Sequence, residues 1–160
     1  MDDLSRRSGG RKAKSVVFTA EQIAARVASL GREITSAYPD GDLVLLGLLK
    51  GSFIFLADLV RAVERPLQVD FLVVSSYGAG TVSSGNVRLL YDPATDLAGK
   101  HIVVVEDIID SGRTLTRLVE LLRARHPASL AICTLLDKQI APEPPAELRF
   151  VGFHAPPAFL

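Results

Sequence analysis

Residues 103–114 read Val-Val-Val-Glu-Asp-Ile-Ile-Asp-Ser-Gly-Arg-Thr and are the most informative segment for the class of fold. Its first residues complete an apolar run that begins at Ile102 and predicts a buried β-strand. Residues 110–114 then supply an acid, two hydroxyls and a glycine, which are residue types that typically open a helix. Strand, turn and helix in this order predict one unit of an open α/β sheet, whose ligands bind where the strands end.

The flanking sequence repeats this alternation of strands and helices. Apolar runs predict strands at 43–47, 69–74, 102–105 and 130–136, and short edge strands at 86–91. Helical spacing predicts helices from Thr19, where Gln22 completes a capping box, to before Pro39, from Ser52 to Val63, and over 115–122. The sequence therefore predicts an α/β fold with a central, mostly parallel sheet flanked by helices.

Two segments fall outside this pattern. Residues 1–15 place lysines and arginines among serines and glycines and predict a flexible basic tail, which leaves 16–160 as a single domain. Residues 75–85 are polar and rich in glycine, inside a long connection that is typical of a mobile lid or a disordered insert.

Composition excludes several classes of protein. The 18 basic and 18 acidic residues balance, so we expect neither a nucleic-acid partner nor a membrane partner. The single cysteine, Cys133, lies in an apolar run and is interpreted as a buried hydrophobic residue. With no second cysteine and no apolar segment long enough for a signal peptide or a membrane span, the sequence predicts a cytoplasmic protein.

The acids and the glycine turn of 106–114 also indicate which chemical groups this segment could bind. Successive N–H groups, hydroxyls and an arginine at a helix start suit a phosphate monoester, and Gly112 permits a close approach of the backbone. The adjacent Glu106 and Asp107 suit ribose hydroxyls or a Mg²⁺ ion held through water. The simpler alternative is that Asp110 and Ser111 only cap the helix, but capping explains one acid and not three.

Residues 105–114 resemble the phosphoribosyl-pyrophosphate motif of the type I phosphoribosyltransferases, in the form found in hypoxanthine-guanine phosphoribosyltransferases. The resemblance covers roughly residues 18–160 in the order of that family. Its further segments are 48–53, 69–71, 75–78, 135–138 and 150–153. It implies a type I phosphoribosyltransferase-like fold and purine salvage, in which hypoxanthine or guanine and phosphoribosyl pyrophosphate give IMP or GMP and pyrophosphate.

The resemblance assigns roles around the central motif. It implies that Glu106 and Asp107 bind the ribose hydroxyls, with Mg²⁺ bridging ribose and pyrophosphate. Asp110 becomes the acid-base group at purine N7. The 5-phosphate would be held by Asp110, Ser111, Gly112, Arg113 and Thr114.

The resemblance also assigns residues outside the motif. The turn of Leu49, Lys50 and Gly51 would contact pyrophosphate, often through a cis peptide between the first two residues. Lys138 would donate to the purine 6-oxo group, which favours 6-oxopurines over adenine. The remaining assignments are Ser76 and Tyr77 in the lid, Phe159 stacking on the base, and Leu160 reading the base edge through its backbone. The alternatives from residue type alone are an ordinary surface position for Lys50 and for Lys138, plain packing for Phe159, and anchoring of its loop for Tyr77.

This chain departs from the family's pattern in two places. The family continues beyond Leu160 with a segment that carries another metal-contacting acid and an arginine, so we expect reduced activity from the chain as it stands. Residues 139–145 replace a more basic loop, which predicts weaker pyrophosphate binding.

Three other functions remain compatible with the sequence: a xanthine-preferring phosphoribosyltransferase, a nucleotide-sensing RNA-binding regulator on the same fold, and a chain that binds substrate with feeble turnover. The family forms dimers and tetramers, and we expect a homodimer or a homotetramer.

Overall fold

The computed structural model describes residues 16–76, 87–140 and 143–155. Helices and strands alternate along these segments as the periodicity predicts. In chain order the elements are α1 (Ala20–Ala37), β1 (Leu43–Leu49), α2 (Phe53–Ala62), β2 (Gln68–Ser76), β3 (Val87–Tyr91), β4 (His101–Ile109), α3 (Arg113–Arg123), β5 (Ser129–Asp137) and β6 (Leu148–His154).

The six strands form one sheet in the order β3-β2-β1-β4-β5-β6. Only β2 and β3 pair antiparallel, which confirms the predicted mostly parallel sheet. From β1 the chain proceeds outward to β2, whereas from β4 it proceeds in the opposite direction to β5. The junction between β1 and β4 is therefore a topological switch point, the place where open α/β sheets bind ligands.

Each face of the sheet is covered by helices. On one face, α1 and α2 pack on inward-facing residues of β4 such as Val103 and Val105, together with Cys133 of β5. On the other face, α3 packs on Ile102 and Val104. Because central parallel strands are buried on both sides, their sequences are continuous apolar runs without alternation. Cys133 is fully buried, as expected, and burial raises the pKa of its thiol.

The predicted helix start at Thr19 is confirmed in atomic detail. The backbone N–H of Gln22 donates to Thr19 Oγ1 over 3.2 Å, and the backbone N–H of Thr19 donates to Gln22 Oε1 over 2.8 Å. This reciprocal pair satisfies two N–H groups that the first turn of a helix leaves without partners. Among the described residues, no helix combines the length and the apolar character needed to cross a membrane.

The predicted strands β1, β2 and β4 each continue beyond their expected ends, to Leu49, Ser76 and Ile109, and one further strand, β6, was not expected. Strand β4 does not end at Val105 but continues to Ile109, because β5 pairs with it through Glu106↔Thr134 and Ile109↔Asp137. The two acids therefore belong to the strand itself. Strand β6, whose sequence lacks a continuous apolar run, was not predicted from periodicity and lies beside β5 at the edge of the sheet.

Gly31 permits the close contact between α1 and α2. A Cβ at this position would lie 2.3 Å from the carbonyl oxygen of Ala62, which is backbone and cannot move aside alone. We expect Gly31→Ala to lower the free energy of unfolding by about 1–2 kcal/mol, since overpacking of up to about 3 kcal/mol outweighs a helix-propensity gain of about 1 kcal/mol. Urea unfolding measures this change. Ser36→Ala on the exposed side of α1 is the control, and a Gly31→Ala protein as stable as wild type would contradict the expectation.

Candidate active site

The carboxyl ends of β1, β4 and β5 lie side by side along one border of the sheet, its carboxyl-terminal edge. Pairing between β1 and β4 stops at Gly47↔Val105, whereas pairing between β4 and β5 continues to Ile109↔Asp137. Residues 106–109 therefore border β5 on one side and leave the side toward β1 open. The chain that follows β1 turns across this opening.

That turn holds the residues assigned to pyrophosphate. The Leu49–Lys50 peptide bond is cis, as the resemblance implies. Gly51 lies directly against the carboxylate of Asp107, and a Cβ at Gly51 would come within 2.4 Å of Asp107 Oδ2. The structure thus brings the 49–51 turn and the β4 acids together, while the Lys50 side chain is exposed.

Ser52 supports this turn in a way that the sequence did not reveal. The sequence predicts a helix that starts at Ser52. The residue does precede α2, but its side chain makes no capping hydrogen bond. Instead, Ser52 Oγ is fully buried and donates to the carbonyl oxygen of Leu48 over 2.7 Å. This bond closes the loop that carries Lys50 and Gly51.

Glu106 and Asp107 are consecutive residues near the end of β4, beyond the point where pairing with β1 stops. Burial raises the pKa of Glu106 to about 9, and the hydrogen bond with Asp107 and its charge act in the same direction. Each acid also accepts a hydrogen bond from a backbone N–H group. The N–H of Asp107 donates to Glu106 Oε1 over 3.1 Å, and the N–H of Ile108 donates to Asp107 Oδ1 over 2.9 Å. Two carboxylates are thus held close together, and one of them favours its neutral form.

Both acids line a cleft of about 270 Å³ that continues to the start of α3. Its lining comprises residues 106–112 together with Thr114 and Leu115. Arg113 is exposed and is not among these residues. The structure therefore gathers Asp110, Ser111, Gly112 and Thr114 around one cleft and leaves the Arg113 side chain outside it.

The start of α3 argues against a simple capping role for Asp110 and Ser111. The N-cap residue is Gly112, in the left-handed conformation with φ 70°, and no side chain makes a capping hydrogen bond there. A left-handed residue at this position favours glycine. The N–H groups in the first turn of α3 have no intrahelical acceptors, so this end of the cleft suits an anion.

Lys138 follows β5 and reaches the same edge of the sheet. Its Nζ lies 3.7 Å from Asp110 Oδ2, and only 15% of its side chain is exposed. Its backbone N–H donates to the carbonyl oxygen of Ile109 over 3.1 Å, which fixes the position of Lys138 relative to the end of β4. The residue expected to read the base and the residue expected to act at N7 are therefore neighbours.

Three of the predicted site residues and two predicted segments lie wholly or partly outside the described residues. Tyr77, Phe159 and Leu160 lie outside the described residues, as do the 1–15 tail and most of the 75–85 segment. Ser76 is the last residue of β2, which ends at this edge of the sheet.

The contact of Gly51 with Asp107 allows a direct test of the site. We expect Gly51→Ala to lower kcat/KM about 10-fold, because the added methyl group must displace the Asp107 carboxylate and small misplacements of reacting groups are costly. Steady-state kinetics measures the effect. Gly99→Ala is the control: Gly99 has φ +71° but open space around it, so strain should lower the melting temperature without changing kcat/KM. Equal kinetics for the two variants would contradict the prediction.

Comparison with known proteins agrees with this geometry. Residues 15–158 match the family model described as a phosphoribosyl transferase domain. The chain is 49% identical over 147 residues to the hypoxanthine phosphoribosyltransferase of Salmonella typhimurium, covering 91% of this chain and 83% of that one. It is 48% identical over 153 residues to the hypoxanthine-guanine phosphoribosyltransferase of Mycobacterium avium, covering 92% and 75%.

Solved structures show the same relationship. A hypoxanthine-guanine phosphoribosyltransferase from Bacillus anthracis superposes with a TM-score of 0.84 at 38% identity, covering 91% of this chain and 86% of that one. A hypoxanthine phosphoribosyltransferase from Staphylococcus aureus superposes with a TM-score of 0.87 at 36% identity, covering 98% and 83%. The expected type I phosphoribosyltransferase-like fold is confirmed.

Proposed function

This chain belongs to the phosphoribosyl transferase family, with relatives that are hypoxanthine and hypoxanthine-guanine phosphoribosyltransferases, and from that premise we propose that it makes IMP or GMP from hypoxanthine or guanine. The second substrate is phosphoribosyl pyrophosphate, and the second product is pyrophosphate. The observation that carries this proposal is the pairing of Asp110 with Lys138, 3.7 Å apart, beside the cleft that the β4 acids line. A carboxylate and an ammonium group at this spacing match N7 and the 6-oxo group, which are neighbours on one edge of a purine.

The ribose 5-phosphate half of the substrate fits along the cleft. Its phosphate would accept hydrogen bonds from the backbone N–H groups at the start of α3 and from the hydroxyls of Ser111 and Thr114, close to the left-handed Gly112. Arg113 would contribute positive charge from outside the cleft. The carboxylates of Glu106 and Asp107 then lie where they would accept hydrogen bonds from the ribose hydroxyls.

The residues of this site also fit Mg²⁺. This ion prefers oxygen ligands and usually takes only one or two carboxylates, with water and substrate phosphates completing its shell. Glu106 and Asp107 supply such a pair. When bound, the ion would neutralise charge on the pyrophosphate oxygens.

The groups of the protein then have separate tasks in the transfer. The turn from Leu49 to Gly51 would hold the departing pyrophosphate, with Lys50 offsetting the negative charge that gathers on it. As the C1 bond breaks and purine N9 attacks, Asp110 would accept or share the proton at N7. Lys138 would donate to the 6-oxo group and so select the base.

Ser76 at the end of β2 and three residues outside the described part complete the proposal. Ser76 and Tyr77 would close over the reaction centre and exclude water from the cationic sugar. Phe159 would stack on the purine, and the backbone of Leu160 would read its edge. Assembly as a homodimer or homotetramer and a cytoplasmic location remain predictions.

A spectrophotometric assay of nucleotide formation tests this function. The chain is incubated with phosphoribosyl pyrophosphate, Mg²⁺ and one purine at a time: hypoxanthine, guanine, xanthine or adenine. We expect turnover with hypoxanthine or guanine and little with adenine, which has no 6-oxo group. A preference for xanthine would change the assigned base, and no turnover with any purine would contradict the proposal.

A further inference from the structure

The residue before Lys138 is a buried acid. Asp137 ends β5 and is 8% exposed. Its Oδ1 accepts a hydrogen bond from the backbone N–H of Gln139 over 2.9 Å, so the carboxylate reaches past Lys138 to the next residue. Gln139 itself has φ +55°, a conformation uncommon for a residue other than glycine. Together they form a tight turn that sets the direction of the chain around Lys138.

The other contacts of Asp137 tie this turn to strand β6. Asp137 Oδ2 lies 3.5 Å from His154 Nδ1, and the Asp137 carbonyl oxygen accepts the backbone N–H of Ala155 over 2.8 Å. Asp137 and His154 are also register partners in the sheet. Both carboxylate oxygens of Asp137 therefore have a partner, one in the turn and one at the end of the edge strand.

Lys138 is consequently held from two sides. Its own backbone N–H donates to the carbonyl oxygen of Ile109 on β4, and the Asp137 turn fixes the chain that follows it. A neutral acceptor such as asparagine would be enough to close the turn alone. The carboxylate adds the contact with His154, which links the base-reading lysine to the last residue of β6.

We propose that Asp137 and His154 are a positioning pair that fixes Lys138 for recognition of the purine 6-oxo group. This inference rests on the proposed function, because it needs Lys138 as the residue that reads the base. The pair lies beside Lys138 and is not among the residues that line the 106–115 cleft. It should therefore control binding of the base and not binding of the sugar phosphate.

The test is a comparison of KM values for the two substrates. We expect Asp137→Ala to raise KM for hypoxanthine about 10-fold, the usual size of losing one well-placed hydrogen bond to a charged group, and to leave KM for phosphoribosyl pyrophosphate within about twofold. Asp137→Asn keeps an acceptor for Gln139 N–H and should stay within about threefold of wild type, as a conservative rescue. Asp58→Ala, which removes a surface carboxylate paired with Arg61, is the control and should change neither KM.

A double-mutant cycle separates this inference from the proposed function. Lys138→Ala should itself raise KM for hypoxanthine, and adding Asp137→Ala to it should cause no further rise. If Lys138→Ala leaves that KM unchanged, the base-reading role fails, and this inference fails with it. If Lys138→Ala raises the KM but Asp137→Ala does not, or if the two effects multiply, only the positioning pair is overturned.

If the Asp137→Ala protein does not fold, His154→Ala tests the same positioning pair. The His154 side chain is 58% exposed, so its removal should leave the fold intact. We expect a smaller rise in KM for hypoxanthine than for Asp137→Ala, with KM for phosphoribosyl pyrophosphate unchanged. An unchanged hypoxanthine KM, or an equal rise in both KM values, would overturn the pair.

Discussion

Asp110→Asn should lower kcat by about 100- to 10,000-fold, the range that general acid-base catalysis contributes. Asp110 is 62% exposed at the mouth of the cleft and lies 3.7 Å from Lys138 Nζ. Asparagine keeps the size and shape of the side chain but cannot accept the N7 proton. We therefore expect substrate binding to survive and the chemical step to slow.

Two measurements isolate this effect. Isothermal titration with phosphoribosyl pyrophosphate and Mg²⁺ should give a Kd close to that of wild type, while a turnover assay shows the loss in kcat. Asp58→Asn removes another exposed carboxylate that also pairs with a cation, Arg61, and should leave both values unchanged. An Asp110→Asn enzyme that turned over at the wild-type rate would remove Asp110 from the reaction.

The sequence predicted most of the fold because its strands are buried on both faces. The runs at 43–47 and 102–105 contain no polar residue, so they are recognisable as buried strands. The capping box at Thr19 marks the start of a helix. Strand β6 was not predicted because it lies at the edge of the sheet, where only one neighbour constrains its composition. Arg26 on α1 donates to the carbonyl oxygens of Val151 and Gly152 there, a contact between residues far apart in sequence.

The site was predictable where one local segment builds it and less so where two segments meet. Residues 106–114 are contiguous, so their residue types indicate the chemistry directly. The contact between Gly51 and Asp107 and the partners of Asp137 depend on which strands are neighbours and in which register. Periodicity gives the faces of each strand but not its register against another strand. Neither the buried Ser52 hydroxyl nor the Asp137–His154 pair therefore had a signal in the sequence.

Glu106 should make substrate binding strongly dependent on pH. Burial raises the pKa of its carboxyl to about 9, so in the ligand-free protein at pH 7 it holds a proton. Binding to Mg²⁺ requires the carboxylate, and the ionised group accepts hydrogen bonds from ribose hydroxyls through both oxygens, whereas the protonated acid has a donor in place of one acceptor. The Kd for phosphoribosyl pyrophosphate with Mg²⁺ should therefore fall between pH 7 and pH 9, by up to about tenfold per pH unit. The last pKa of a phosphate monoester is about 6, so the substrate's own phosphoryl groups are largely ionised by pH 7 and contribute little above it.

Glu106→Gln is the matched control, because glutamine has the shape of the protonated acid at every pH. Its Kd should be weaker and nearly constant from pH 7 to pH 9, as isothermal titration calorimetry would show. The pH dependence of the free energy of unfolding tests the raised pKa of Glu106 independently. A folded-state pKa of about 9 lies above the reference value of 4.5, so the wild type loses stability as pH rises between these values, whereas the variant does not. At pH 8 Glu106→Gln should therefore be the more stable protein. If both proteins showed the same change of Kd and of unfolding free energy with pH, the titrating group would lie elsewhere.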